Sequence, residues 1–372
     1  MTMDDLGTDQ AADDPSALGW PGDGATPSPT GLGWPGAVSG ETGPGSVVPR
    51  ETVELPQPAA TPYRTAAELA GTGLLADDES TPLARSVHSE LQARQAAQRR
   101  GPLTRPDRTR VMVVANQKGG VGKTTTTVNM AAALAQGGLR VLVVDLDPQG
   151  NASTALSVEH HRGTPSTYDA VVDGVPLADV VQKTSLEGLF VVPATIDLAG
   201  AEIELVSLVA RETRLRRAIH AHPQVGDGED RFDYVLIDCP PSIGLLTLNA
   251  LVAGEEMLIP IQAEYYALEG LGQLLETVEM VKAHLNPGLA VSTILLTMYD
   301  ARTRLSAGVA EEVRSHFGER VLRTAIPRSV RISEAPSYGQ TVITYDPGSS
   351  GALSYLEAAR ELATGPSNEE SR

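Results

Sequence analysis

Residues 110–127 read RVMVVANQKGGVGKTTTT. The run 111–115 is apolar without alternation, the pattern of a strand buried on both faces. It is followed by Lys118-Gly119-Gly120-Val121-Gly122-Lys123-Thr124-Thr125 and then by a helical pattern from Thr125 to about Gln136. Strand, glycine loop and helix in that order make the context of a phosphate-binding loop. Its glycines let consecutive backbone N–H groups close on phosphate oxygens, and the helix that follows turns its positive end toward the same anion. Lys123 supplies a point charge for β/γ-phosphates, and the Thr124 hydroxyl stands where it can ligate Mg2+. The usual form of the loop has glycine five residues before Gly122. Here that position is Gln117, and a second lysine, Lys118, opens the loop.

The same rhythm continues downstream. Residues 141–144 form a second apolar run that ends in Asp145 and Asp147, and further runs begin at Leu189, Tyr234, Met257, Val291 and Val321, each separated by a helix-length amphipathic stretch. This predicts an α/β fold, a doubly wound and mostly parallel sheet with helices on both faces. Ligands of such sheets sit at the carboxyl ends of the strands. Asp145, Asp147, Asp238 and the Lys118 loop all fall there. Asp238 closes the run 235–237, the place of an acid that helps hold Mg2+ through its water shell. Cys239 reads as a small buried residue, since no histidine in the local sequence would activate it as a nucleophile.

The charge of −18 over 372 residues is unevenly distributed. Residues 1–80 hold thirteen acids against two arginines, residues 81–105 five arginines against one glutamate, and the rest of the chain carries −11. A chain this acidic binds nucleic acid only through a local patch. The predicted organisation is a disordered acidic Gly/Pro-rich tail over 1–80, a short basic helix and linker over 81–107, a folded domain over 108–365 and a disordered end over 366–372. Within the tail LGWPG occurs at 18–22 and again at 32–36, and both tryptophans of the chain lie in these copies. They read either as paired docking motifs for a polar or scaffold adaptor or as a low-complexity duplication. No run of about eighteen apolar residues predicts a membrane span, and the acidic first residues do not read as a secretory signal. One cysteine fits a reducing cytosol and provides no multi-cysteine metal site.

KGGVGKTTTT at 118–127, VDLDPQGNAS at 144–153, YVLIDCPPS at 234–242, LTMYDARTRLS at 296–306 and IPRSVRISEAPSYGQTVITYDP at 326–347 together resemble the ParA/Soj partitioning ATPases of the MinD/ParA superfamily. The resemblance runs from about Arg110 to Leu362 and does not reach the first hundred residues.

That resemblance implies a Mg2+-dependent ATP hydrolase that dimerises around ATP, coats non-specific DNA, responds to a ParB-type partner, and is cytoplasmic and nucleoid-associated. It implies that Lys118 reaches the nucleotide of the partner subunit, and that residues 118–125 with Pro327 and Ser329 hold ATP. Asp147 would orient the attacking water, while Thr124, Asp145 and Asp238 serve the metal. Arg302 and Arg331, with Arg304 and Arg328 nearby, would grip DNA. A MinD-like division-site ATPase acting through a membrane or polar adaptor is the alternative. Against it, the C-terminal helix reads as a core-packing element, and its polar, mostly acidic end suits no anionic membrane. An iron-protein reading would need cluster cysteines that the chain lacks.

Overall fold

The computed structural model describes residues 101–264 and 267–365. The tail with its two LGWPG copies, the helix expected before residue 101 and the residues after 365 lie outside the described residues.

Seven strands build one sheet: β1 (Arg110–Val114), β2 (Val141–Asp145), β3 (Gln182–Lys183), β4 (Leu189–Val192), β5 (Tyr234–Asp238), β6 (Glu256–Gln262) and β7 (Ala290–Thr297). Their order is β3-β4-β2-β5-β1-β6-β7. Every pairing is parallel except that of β3 with β4. The main helices are α1 (Lys123–Gln136), α2 (Leu198–Val206), α3 (Leu245–Ala253), α4 (Ala267–His284), α5 (Arg304–Phe317) and α6 (Ser350–Thr364). The P-loop NTPase architecture expected from the sequence is present.

Because side chains alternate along a strand, β1 feeds two cores. Val111 and Val113 join the layer beneath α2, α3, α4 and α5, while Met112 and Val114 join the layer beneath α1 and α6. The central strands β2 and β5 are buried at every position, which explains their unbroken apolar sequence. Helix α1 is buried almost all round, since α6 lays Ala352, Tyr355, Ala358, Ala359 and Leu362 against it.

The strand expected to start at Val321 does not form. Val321 and Pro327 touch the β7 line only through isolated bridges to Ile294 and Tyr299. Between them the Glu361 carboxylate takes the N–H groups of Arg323 (2.7 Å) and Thr324 (2.9 Å), and Pro327 has none to give. The two-residue edge strand β3 gave no sequence signal.

Contacts to the domain begin ahead of residue 108. Leu103 N–H donates to Gly137 O at 2.9 Å, and Arg105 Nε pairs with Asp233 at 2.8 Å. Arg110 then bridges Glu256 at the amino end of β6 at 2.6 Å. All of this lies at the end of the sheet opposite the glycine loop.

Tyr355→Ala should test the α1–α6 seam. Removing this fully buried ring should cost about 3–5 kcal/mol. The urea midpoint should fall accordingly, and an unchanged midpoint would mean that α6 does not close the core.

Candidate active site

The ends of β1, β2 and β5 set the geometry. Val114 and Asp145 both pair in register with Asp238, so the two strand-end acids lie side by side. Both are fully buried. Burial, with Asp145 as neighbour, pushes the Asp238 carboxyl up to about 8, and burial pushes Asp145 up to about 6.

The two acids are used differently. Asp145 Oδ2 accepts from Ser153 N (2.9 Å) and Ser153 Oγ (2.7 Å), and its Oδ1 accepts from Asp147 N (3.1 Å). Asp145, expected beside the metal, uses both oxygens to hold the loop that carries Asp147. Asp238 Oδ1 accepts from Thr127 Oγ1 at 2.9 Å, and Thr124 faces the same carboxylate. Asp238 Oδ2 is buried with no hydrogen-bond partner.

That orphaned oxygen is the test of fit for a cation. A hydrated Mg2+ beside Thr124 would satisfy it, and Mg2+ commonly takes one or two protein oxygens and fills its octahedron with water and phosphate. Among the described residues no group of three His, Cys, Asp or Glu side chains could cage a metal by itself, which suits an ion that arrives with its nucleotide.

The glycine loop faces the same place. Gly120 and Gly122 have φ of 73° and 88°, the left-handed region that glycine enters without steric cost, and Gly122 caps α1. Lys123 is buried, and its Nζ donates to Lys118 O at 3.2 Å. Burial lowers its pKa, while Asp238, Cys239 and Asp147 oppose that shift. The Val121 carbonyl is pinned by Thr297 Oγ1 at the end of β7 (2.8 Å). Asn116 receives the Lys118 N–H at 3.0 Å and donates to Pro260 O at 2.8 Å. Gly119, Thr124 and Thr125 complete the turn and the first turn of α1. Asp147 is buried within the loop after β2, where it accepts from Gln149 N at 3.0 Å. Cys239 is buried, its thiol pushed well up by burial.

Beyond β7 the chain turns through Met298, a non-glycine residue at φ 50°, into the segment that carries the arginines. Pro327 is bridged to Tyr299, and Ser329 precedes the short helix Val330–Glu334. Arg302, Arg304, Arg328 and Arg331 are all exposed. Three of them have acidic partners, Arg328 through Glu264 at 3.8 Å. Arg302 grips Asp300 through Nε (2.9 Å) and Nη2 (2.8 Å), which holds that carboxyl down at about 2. Arg331 lies 3.2 Å from Glu334 and 3.3 Å from Asp346. A cleft of about 1010 Å3 lies elsewhere: Arg110, Glu256 and Val291 line it at the amino ends of their strands.

Ser153, Thr127, Asn116 and Thr297 were not singled out by the sequence reading. Each is a small polar residue whose importance depends on a partner far along the chain.

An AAA-domain family model matches residues 109–291. The sporulation initiation inhibitor protein Soj of Bacillus subtilis is 54% identical over 254 residues, 68% of this chain and 98% of that protein. The chain belongs to the Soj/ParA family of chromosome-partitioning proteins. ParA of Myxococcus xanthus is 50% identical over 253 residues, 68% of this chain and 87% of its own. Among solved structures, cobyrinic acid a,c-diamide synthase from Mycobacterium smegmatis with bound ADP and magnesium is similar at a TM-score of 0.59 and 39% identity, over 69% of this chain and 94% of that one. The Soj/ParA matches span 68% of this chain, and the family model lies within residues 109–291.

Within this Soj/ParA domain, Ser153→Ala should show how far the buried Asp145 depends on its donors. It removes one hydrogen bond to the carboxylate and leaves Ala194 N–H, which now donates to Ser153 Oγ at 3.1 Å, without its acceptor. A loss of about 1–3 kcal/mol is expected in urea unfolding. An unchanged midpoint would dismiss Ser153 as a support.

Proposed function

We propose that this chain is an ATP-driven switch for chromosome or plasmid segregation. The observation that carries the reading is the buried, unpartnered Asp238 oxygen beside Thr124, at the mouth of a loop that carries two lysines. Partitioning relatives at 50–54% identity support it. Residues 118–125 bind the phosphates of ATP, Pro327 and Ser329 flank the adenine, and Thr124 with Asp238 holds Mg2+ through its water shell. Held there, Mg2+ would supply positive charge against the phosphates. Lys123 fixes the β/γ-phosphates, and Asp147 orients the attacking water. Asp145 acts one step back, by holding the Asp147 loop in place.

Lys118 acts in trans, placing its ammonium on the phosphates of a second subunit, as an arginine finger does. Two subunits then bring two copies of Arg302 and Arg331, with Arg304 and Arg328 beside them, onto one DNA-binding face. Contacts of this kind are to phosphate and carry no sequence information directly. A ParB-type protein triggers hydrolysis and release, and the dimer resides on the nucleoid. The acidic segment 1–80 is a tail that carries adaptor motifs outside the catalytic domain. In the division-site alternative the C-terminal helix would lie on a membrane, but α6 has its apolar face committed to α1.

Lys123→Ala should lose ATP binding. Asp147→Ala should bind ATP, dimerise and not hydrolyse, so that an ATP-dependent dimer survives size-exclusion chromatography in the second variant only. Equal loss of the dimer in both would remove Asp147 from its role.

DNA binding should depend on ATP and on salt. Two copies of Arg302 and Arg331 reach four phosphates, and these alone give a log–log salt slope of about −3.6. Each arginine must first leave a carboxylate, so the affinity should be modest. Arg331→Glu should abolish binding to random-sequence duplex while dimerisation persists. Equal binding with ATP and ADP would sink the nucleoid reading for this surface.

A further inference from the structure

Lys118 is not free in the single chain. Its ammonium lies 3.3 Å from Glu264 Oε2. Glu264 stands two residues beyond β6, and its other oxygen accepts from the Gln262 amide and lies 3.8 Å from Arg328 Nη2. One carboxylate thus collects an amide and two cations from three places in the chain: the phosphate loop, the end of β6 and the segment beyond β7. The Lys118 backbone is held from both sides, its N–H by Asn116 and its carbonyl by Lys123. Its side chain is 36% exposed and that of Glu264 is 45% exposed, so neither is locked in place by packing.

We propose that Glu264 is a positioning residue that retains Lys118 on its own chain until the phosphates of a second subunit compete for it. The proposal rests on the trans role given to Lys118 above. The competition is uneven. A single carboxylate faces a polyphosphate of several charges, so the lysine transfers once a loaded subunit arrives and stays home when none does. Its departure strands no charge, because Arg328 and the Gln262 amide remain on Glu264. Exposed ion pairs of this kind shift an equilibrium by up to about fivefold. A symmetric dimer opens two of them, so the effect on assembly multiplies to at most about twenty-five-fold.

The retention step can be read without any dimer. The chain has only four lysines, Lys118, Lys123, Lys183 and Lys282. Acetylation of the full chain without nucleotide, followed by peptide mass spectrometry, gives a rate for Lys118 with Lys183 as internal reference and Lys282, paired with Glu279 at 2.9 Å, as a second salt-sensitive lysine that Glu264→Gln should leave unchanged. In Glu264→Gln the Lys118 rate should rise up to about fivefold while those of Lys183 and Lys282 stay constant. In the unmodified chain it should rise with added salt, which screens the exposed pair, and in Glu264→Gln it should not. The salt series in the unmodified chain serves as the measurement if the variant does not fold. A Lys118 rate indifferent to Glu264→Gln or to salt overturns the proposal.

The gating step is read by sedimentation with a non-hydrolysable ATP analogue. Glu264→Gln should dimerise at lower concentration than the unmodified chain, and the difference should vanish when both carry Lys118→Ala. Faster labelling with an unshifted dimer equilibrium overturns the gating. A chain that never dimerises with the analogue refutes the partitioning reading and the gating built on it, while the labelling rates separately judge whether Glu264 holds Lys118.

Discussion

Two carboxylates brought to the same level at the ends of β2 and β5, both fully enclosed, are the constraint on which the site depends. Like charges that close in a medium of low polarity cannot both be left bare. The chain solves this asymmetrically. Asp145 is given three protein donors and becomes part of the scaffold. Asp238 is faced by the hydroxyls of Thr127 and Thr124 and keeps one oxygen without a hydrogen-bond partner. The cost of that vacancy is what a cation can relieve. Two chemically identical side chains thereby acquire distinct purposes, one structural and one receptive.

The loops then follow from the acids. Ser153 reaches Asp145 with its hydroxyl and its N–H, and takes the Ala194 N–H beyond β4, so two strand ends are tied at one point. Thr297 does the same on the far side by holding the Val121 carbonyl from the end of β7. The glycine loop is therefore suspended between its own helix and a strand two places away in the sheet.

Most of this architecture was legible in the sequence because it is written in local pattern. Unbroken apolar runs marked buried parallel strands, and an acid directly after such a run marked a carboxyl end. The glycine loop was visible because its spacing is dictated by backbone conformation. The failures share a cause. The run from Val321 looked like a strand, but the N–H groups of Arg323 and Thr324 in its middle are taken by Glu361, a residue thirty-eight positions from Arg323, and no window of sequence contains both. The same distance hid the links from Glu264 to Lys118 and from Asn116 to Pro260. The arginines were read correctly as exposed, yet their acidic neighbours Asp300, Glu334 and Asp346 were not weighed against them.

The capture of the Arg323 and Thr324 N–H groups by Glu361 has a consequence at the border of the sheet. An outer strand with a free row of donors and acceptors invites any extended chain to add itself, whether from a second copy or a misfolded neighbour. Here the path alongside β7 is already taken by a stretch too irregular to be a strand and too well bonded to be displaced. At the opposite border, β3 is two residues long and runs against its neighbour. Neither margin offers a template for growth. Copies of this domain are thus steered away from edge-to-edge polymerisation.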